Sequence, residues 1–100
     1  MILGIECTAH TFGIGIVDKG KILANVKDMY IPKHGGIIPI ESAKHHRDIS
    51  EALYVDALSN AGIDEKKIKA IALSNAPGLS PCLLAGMHFA KERQKSLGFQ

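Results

Sequence analysis

The residues best suited to chemistry stand near the start of the chain, where an acid follows a short apolar run. Glu6 ends the run Met1–Ile5, and the small polar segment Cys7–Thr11 comes next. A carboxylate beside hydroxyl groups and free backbone N–H groups can contact a phosphate and metal-bound water. An ordinary hairpin end with a solvated acid is the alternative interpretation. The residues alone leave both open.

A second candidate segment is the proline- and glycine-containing loop Pro77–Pro81. The loop follows a predicted parallel strand and leads into a predicted helix. Ligands usually bind at that end of such strands, where helix N-termini present free N–H groups. Gly78 is therefore a candidate contact, although a short Pro-Gly-Leu sequence is a weak signal by itself.

Adjacent histidines and two cysteines complete the set of reactive side chains. His45 and His46 stand early on a predicted helix, where neighbouring side chains point about 100° apart and cannot chelate one ion together. We expect one to face the hairpin and the other to face solvent. Cys7 and Cys82 are far apart and lack a CxxC pattern. We expect both to be buried thiols rather than nucleophiles.

Strands and a helix predicted in the first part of the chain would position these candidate residues. The segment Met1–Val17 alternates apolar residues with glycines in its second half, which predicts a β-hairpin. The run Ile22–Tyr30 predicts a third, edge strand of an antiparallel meander. Pro39 suits the first turn of a helix that runs to about Ala61, and Gly62 ends it.

The second part of the chain predicts one more strand and one more helix. Ile68–Leu73 is apolar on both sides except for Lys69, as is typical of a buried parallel strand. Ser80 is a candidate helix cap, Pro81 fits the first helical position and Gly98 ends the helix. A right-handed crossover places the fourth strand beside the first. The order βββαβα predicts an α/β fold that opens a ribonuclease H-like or actin-like lobe.

Composition is that of a water-soluble globular domain. Among 100 residues, 46% are hydrophobic and 22% charged, with a formal net charge of +2. Such a mild charge permits a nucleic-acid partner without indicating one. No apolar run reaches membrane-spanning length, and the N-terminus lacks the features of a signal peptide. We therefore expect a cytoplasmic protein that does not associate with membranes.

Four segments together resemble the N-terminal part of the universal tRNA threonylcarbamoyltransferases, the catalytic subunit of the KEOPS complex and bacterial TsaD. This family was formerly described as O-sialoglycoprotein endopeptidase. The archaeal branch, with Thr-Ala-His-Thr after the acid, is the most similar. The segments follow the family's order and spacing and are GIECTAHTFGIGIVD (Gly4–Asp18), MYIPKHGGIIPIESAKHH (Met29–His46), IKAIALSN (Ile68–Asn75) and PGLSPCLLAG (Pro77–Gly86).

The resemblance implies an actin-like ATPase fold that transfers threonylcarbamoyl to the adenosine beside the tRNA anticodon. It implies an ATP-type nucleotide and a divalent metal, whose family ligands, a His-x-x-x-His pair and a distant Asp, are absent from this sequence. The chain then corresponds to the N-terminal part of one lobe, without the following strand and the second lobe. With the resemblance, the candidate catalytic residues are Glu6 and His46, and the candidate nucleotide contacts are Thr8, His10, Thr11 and Gly78.

The implied partners are a Pcc1-like or TsaB-like subunit, a kinase-like subunit and other KEOPS subunits, and tRNA bound through the complex. We expect the first of these on an apolar helix surface formed by Tyr54, Val55, Leu58 and Met87. The chain departs from the family at Ala76 and Ser80, where glycine is usual. Two alternatives are a non-catalytic assembly module of the same complex and a ribonuclease H-like metal nuclease that uses Glu6 with a helix acid.

Overall fold

The computed structural model describes residues 1–32, 35–74 and 77–98. In this part of the chain the elements follow the predicted order βββαβα, with a short 3-10 turn before the last strand. They are β1 (Ile2–Glu6), β2 (Thr11–Asp18), β3 (Lys21–Met29), α1 (Pro39–Ala61), the 3-10 turn Glu65–Lys67, β4 (Ala70–Leu73) and α2 (Ser80–Leu97).

The four strands form one mixed sheet in the order β3-β2-β1-β4. β1 pairs antiparallel with β2 and parallel with β4, and β2 pairs antiparallel with β3. The meander and the position of the fourth strand beside the first are therefore as predicted. The pairing sets Glu6 opposite Gly13, and Gly13 opposite Lys27.

Alternation along the strands divides the sheet into a packed face and an open face. The packed face carries buried residues such as Leu3, Ile5, Phe12 and Ile14, which share one core with residues of both helices. Phe12 meets Phe89 of α2 edge to face, with ring centroids 5.6 Å apart. Both helices thus cover the same side of the sheet.

The open face carries the alternate residues of the same strands and forms a broad groove of about 520 Å³. Three glycines, Gly4, Gly13 and Gly15, line it, so its floor is largely backbone. Ile2 and Val17 at one end are 45% and 37% exposed. We call this open face the glycine groove.

Two local predictions were wrong. The fourth strand is shorter than Ile68–Leu73 and is not buried on both sides, because it is an edge strand whose Ala70 and Ala72 are exposed. Ser80 does not cap α2; Leu79 occupies the cap position and no side chain caps that helix. A register shift beside Ile16 turns Ile22 out to 72% exposure, whereas Ala24 of the same strand is buried.

The ends of both helices agree with the turn chemistry of the sequence. Gly62 and Gly98 follow α1 and α2 in the left-handed conformation, with φ of 67° and 81°. Each amide donates to carbonyl groups of its own last turn, which a residue with a side chain does less readily. No helix of the described residues is long and apolar enough to cross a bilayer.

Candidate functional site

The turn between β1 and β2 is hydrogen-bonded to the rest of the domain through its carbonyl groups. The carbonyl oxygen of Thr8 accepts from the backbone N–H of Leu79, at the start of α2, at 2.7 Å. That of His10 accepts from the backbone N–H of Tyr30, just after β3, at 2.7 Å. Two distant segments therefore hold the turn from either side.

The carbonyl between these two, that of Ala9, is held by side chains of α1. The hydroxyl of Ser42 donates to this oxygen at 2.7 Å, and Nε2 of His46 lies 2.7 Å from it. Both side chains are buried, Ser42 and His46 each being 0% exposed. Three consecutive carbonyls of the turn thus point into the protein.

Trans peptide geometry then fixes where the turn's N–H groups point. In each planar unit the N–H is directed opposite to the carbonyl. The N–H groups of Ala9 and His10 therefore point away from Leu79 and from α1, and the described residues offer neither an acceptor. A pair of outward backbone donors is an arrangement that can bind an anion.

Glu6 shapes the beginning of the same turn. Its Oε1 accepts from the backbone N–H of Thr8 at 2.8 Å and also from the Thr8 hydroxyl. The carboxylate is half-buried and organises the turn, so it is not the fully solvated acid of the alternative interpretation. Its remaining oxygen is available for another contact.

Gly78 lies directly against this turn. A Cβ placed on Gly78 would stand 2.5 Å from the carbonyl oxygen of Thr8 and 2.8 Å from its Cβ. Gly78 and Thr8, 70 residues apart in the sequence, therefore pack directly against each other, and Leu79 is hydrogen-bonded to the same turn. The structure thus brings the predicted residues of the two segments together.

Lys27 is a candidate that sequence reasoning missed. It stands on β3 opposite Gly13, which stands opposite Glu6, so the acid and the base lie on one face with a glycine between them. All three, with Thr11 and Ser74, line the glycine groove. Only the strand register reveals this juxtaposition, because no local pattern in β3 marks Lys27.

The two histidines form a chain of contacts below the turn, and the prediction that one faces solvent was wrong. Nδ1 of His45 lies 2.9 Å from Nδ1 of His46, and Nε2 of His45 lies 2.7 Å from Oδ1 of Asp28 on β3. The His46 ring also packs against Phe12, with centroids 5.7 Å apart. Burial lowers the pKa of His46 below its ordinary value and so favours the neutral ring.

Both cysteines are free and fully buried, as predicted. The Cys7 thiol lies 2.6 Å from the carbonyl oxygen of Cys82. Burial raises the pKa of Cys7 to about 12, so the thiol stays protonated at neutral pH. Neither side chain has the properties of a nucleophile.

Some predictions fall on positions that the structure does not describe. Lys33 and His34 in the loop before α1, and the departures at Asn75 and Ala76, lie outside the described residues. Within the described ranges, no group of three or more His, Cys, Asp or Glu side chains could hold a metal ion. The donor set around the turn therefore fits an anion and does not itself form a cation site.

The arrangement of elements first defines the class of protein. The structure of YeaZ from Pseudomonas aeruginosa superimposes with a TM-score of 0.76 at 15% sequence identity. The match covers 98% of this chain and 40% of that one. The fold is accordingly the actin-like, ribonuclease H-like ATPase fold, of which the chain forms an incomplete part.

Sequence comparison then identifies the family. The model of the TsaD family, tRNA N6-adenosine threonylcarbamoyltransferase, matches residues 21–99. The enzyme of that name from Thermofilum pendens is 46% identical over 91 residues, and the one from Methanopyrus kandleri is 47% identical over 91. The chain belongs to the tRNA N6-adenosine threonylcarbamoyltransferase family, as the four segments predicted.

The matches cover most of this chain but a small part of its relatives. They include 90% of the chain and 27% of the Thermofilum pendens protein. A probable bifunctional tRNA threonylcarbamoyladenosine biosynthesis protein from Thermoplasma volcanium is 46% identical over 83 residues, which are 16% of its length. The chain thus spans about a quarter or less of these relatives.

Proposed function

We propose that residues 1–100 form the N-terminal part of the nucleotide-binding lobe of a tRNA N6-adenosine threonylcarbamoyltransferase. The observation that carries this proposal is the β1–β2 turn, whose inward carbonyl groups leave the backbone N–H groups of Ala9 and His10 pointing outward. Gly78 packs directly against this turn at Thr8. Family membership supplies the reaction, which is transfer of threonylcarbamoyl to the adenosine beside the tRNA anticodon.

We assign the phosphates of an ATP-type nucleotide to the outer side of this turn. The N–H groups of Ala9 and His10 and the hydroxyl of Thr11 are the proposed donors. Glu6 holds the turn in shape through Thr8 and keeps one oxygen for a metal-bound water or a substrate group. The divalent metal that accompanies nucleotides in this family requires ligands other than those among the described residues.

We assign His46 a positioning role rather than direct contact with substrate. Its ring is 0% exposed and contacts the inner side of the turn, opposite the proposed donors. His10 stands on the turn itself and is half-buried. Gly78 contributes through the absence of a side chain, because it packs against the backbone of Thr8.

We propose that the outer surfaces of the two helices receive a Pcc1-like or TsaB-like subunit. The apolar residues available for this are Val55, Leu84 and Met87, which are 60%, 57% and 37% exposed. Tyr54, which the sequence suggested for this surface, is 2% exposed and belongs to the chain's own core. The kinase-like subunit, tRNA and a cytoplasmic location complete the proposal by family membership.

A chimeric enzyme tests the proposed function. The segment of the Thermofilum pendens enzyme that matches 90% of this chain is replaced by the corresponding residues of this chain. Threonylcarbamoyladenosine in tRNA is then measured with the required partner subunits present. We expect modification by the chimera and its loss in the chimera carrying Gly78→Val. Gly36→Val, at a position with no neighbour within 4 Å among the described residues, is the matched control.

The same experiment distinguishes the proposed nucleotide-binding function from a role as a non-catalytic assembly module. A chimera that folds, binds its partner subunit and fails to modify tRNA contradicts the nucleotide proposal and favours a role in assembly alone.

The ribonuclease H-like nuclease alternative needs an acid of α1 beside Glu6, and the candidates Glu41 and Asp48 make other contacts. Glu41 accepts from the Tyr30 hydroxyl and Asp48 pairs with Lys44, so neither joins Glu6.

A further inference from the structure

The contacts of the two histidines require a definite number of protons. A carbonyl oxygen only accepts, so Nε2 of His46 carries a proton that it donates to Ala9 at 2.7 Å. A carboxylate also only accepts, so Nε2 of His45 carries a proton for Asp28 at 2.7 Å. The 2.9 Å contact between the two Nδ1 atoms needs one further proton between them.

Three protons on two imidazole rings amount to one positive charge. Two neutral imidazoles carry one proton each, so the complete set of contacts holds one proton more. Burial disfavours charge on His46, which is 0% exposed, whereas Asp28 faces His45 directly. The additional proton therefore resides mainly on His45, and His46 is the neutral ring that accepts at Nδ1.

We propose that Asp28, His45 and His46 act as a proton-sharing chain that positions and polarises the His10 N–H for an incoming phosphate. The carbonyl of Ala9 and the N–H of His10 belong to one peptide unit. Hydrogen bonds to that carbonyl from His46 and Ser42 orient the N–H outward, and chains of such bonds strengthen one another. The phosphate part of this inference rests on the proposed function of the turn.

Loss of the third proton breaks the chain at one of its contacts. With two protons left, either His45 faces Asp28 through a lone pair, or the two Nδ1 lone pairs face each other. A third outcome moves the His46 proton to Nδ1 and releases Ala9. The chain is therefore complete at lower pH, and raising the pH loosens either β3 or the turn.

The other titratable groups around the pair do not replace Asp28. Glu6 and His10 lie near His46 from the turn, and Tyr30 lies near His45, with ring centroids 6.0 Å apart. Asp48, on the same helix, pairs with Lys44 at 2.8 Å. Asp28 is thus the acid in hydrogen-bond contact with the rings, and its side chain is half exposed.

Asp28→Asn is the discriminating variant because an amide can donate as well as accept. Asn at this position donates to Nε2 of His45, so a neutral pair with two protons satisfies every contact. The variant retains the shape of the chain and removes its need for charge. Asp56→Asn, which neutralises an exposed acid elsewhere on α1, is the matched control.

Nitrogen NMR of histidine-labelled protein at pH 6 tests the chain without any ligand. We expect three protonated ring nitrogens in the wild type and in Asp56→Asn, with Nδ1 of His46 unprotonated. In Asp28→Asn we expect two, at Nε2 of His46 and Nδ1 of His45. A wild-type pair with two protons at pH 6, or a protonated Nδ1 on a neutral His46, overturns the proposal.

Binding of inorganic pyrophosphate, followed at the His10 amide, tests the phosphate part. At pH 6 we expect Asp28→Asn to bind pyrophosphate as tightly as the wild type, because the substitution removes the negative charge of Asp28 together with the additional proton of the pair. At pH 9, where the wild-type pair lacks that proton and Asp28 keeps its charge, we expect Asp28→Asn to bind up to about twofold more tightly, the effect of one unit charge about 10 Å from the anion in water. An equal ratio at both pH values overturns the coupling, and no binding by any protein overturns the phosphate site itself.

Discussion

At the scale of single residues, Gly78 is a position with little room for change. Even the methyl group of Gly78→Ala would collide with the backbone of Thr8, which cannot turn aside as a long side chain could. We expect the substitution to lower the free energy of unfolding by about 1–3 kcal/mol. Urea denaturation measures this.

Gly36→Ala is the control for that experiment, because no atom of residues 1–32, 35–74 and 77–98 lies within 4 Å of a Cβ built there. Its unfolding midpoint should stay close to that of the wild type. If Gly78→Ala does not change the unfolding midpoint either, Gly78 and the turn are farther apart than these distances indicate, and Gly78 does not help to hold the turn in place.

His46 makes the free energy of unfolding depend on pH below about 6.5. Its pKa is lowered by burial from the ordinary 6.5, so the unfolded chain binds a proton that the folded chain refuses. The stability it contributes is present above pH 6.5 and is lost as pH falls toward the folded-state pKa, with a slope of at most about 1.4 kcal/mol per pH unit.

Stability measured between pH 4 and 7 checks this expectation with two variants. His46→Gln, which keeps an amide donor for the Ala9 carbonyl, should flatten the dependence. His88→Gln, at an exposed position, should leave it intact. An identical profile for His46→Gln and the wild type would show that His46 is not the titrating group.

The sequence identified most of these residues but not their connections. Glu6, Thr8 and Gly78 stand out because acids, hydroxyls and glycines at element ends are the usual components of a phosphate site. Lys27 and Asp28 do not stand out, because each is an ordinary charged residue of an edge strand. Their roles depend on the register of β3 with β2 and on its distance to α1, which no local pattern contains.

At the scale of elements, one arginine holds α1 and α2 together. Arg93 of α2 lies over the rings of Tyr54 and Phe89, 5.2 and 5.4 Å from their centroids, and pairs with Glu51 of α1 at 2.9 Å. Its side chain is 17% exposed, whereas that of Glu51 is 64% exposed. The stacking is therefore more protected from solvent than the ion pair.

We expect Arg93→Ala to lower the free energy of unfolding by about 1–2 kcal/mol through lost stacking and packing. Glu51→Ala should cost less than about 0.5 kcal/mol, because exposed ion pairs contribute little. Chemical denaturation of the two single variants and the double variant gives the coupling. A larger loss in Glu51→Ala than in Arg93→Ala would contradict this order.

Three helix ends were easier to predict than strand faces, for a physical reason. Pro39, Gly62 and Gly98 act through their own backbone conformational preferences, so their effect is local and visible in the sequence. The exposure of Ile22 depends on the register shift between β2 and β3, which leaves Leu23 without a partner. That feature belongs to the pairing of two strands, and the alternating pattern of one strand cannot reveal it.

At the scale of the whole molecule, the helices cover one face of the sheet and leave the glycine groove open. Ile16 and Val17 are neighbours in β2 with opposite environments, 0% and 37% exposed. We expect Ile16→Thr to cost about 2–4 kcal/mol, since it removes buried volume and buries a hydroxyl. Val17→Thr should change stability by less than about 0.5 kcal/mol.

Thermal unfolding of the two variants tests this division. A large loss of stability in Val17→Thr would mean that another layer covers the groove in solution.

The overall order of elements was predictable because each strand and helix has its own periodicity. That both helices pack on the same face of the sheet was not predictable. Each helix has only a modest apolar stripe, which could pack against either face, so the choice of face depends on the packing of the whole domain.

The parallel pairing of β1 with β4 has a consequence for the order of folding. β1, β2 and β3 are consecutive along the chain, so they can join through short loops. The partner of Ile2 in β4 is Ala70, which becomes available only after α1 has been traversed. Closing that long loop costs entropy before any contact rewards it, so the last strand docks late and onto a sheet that is already formed.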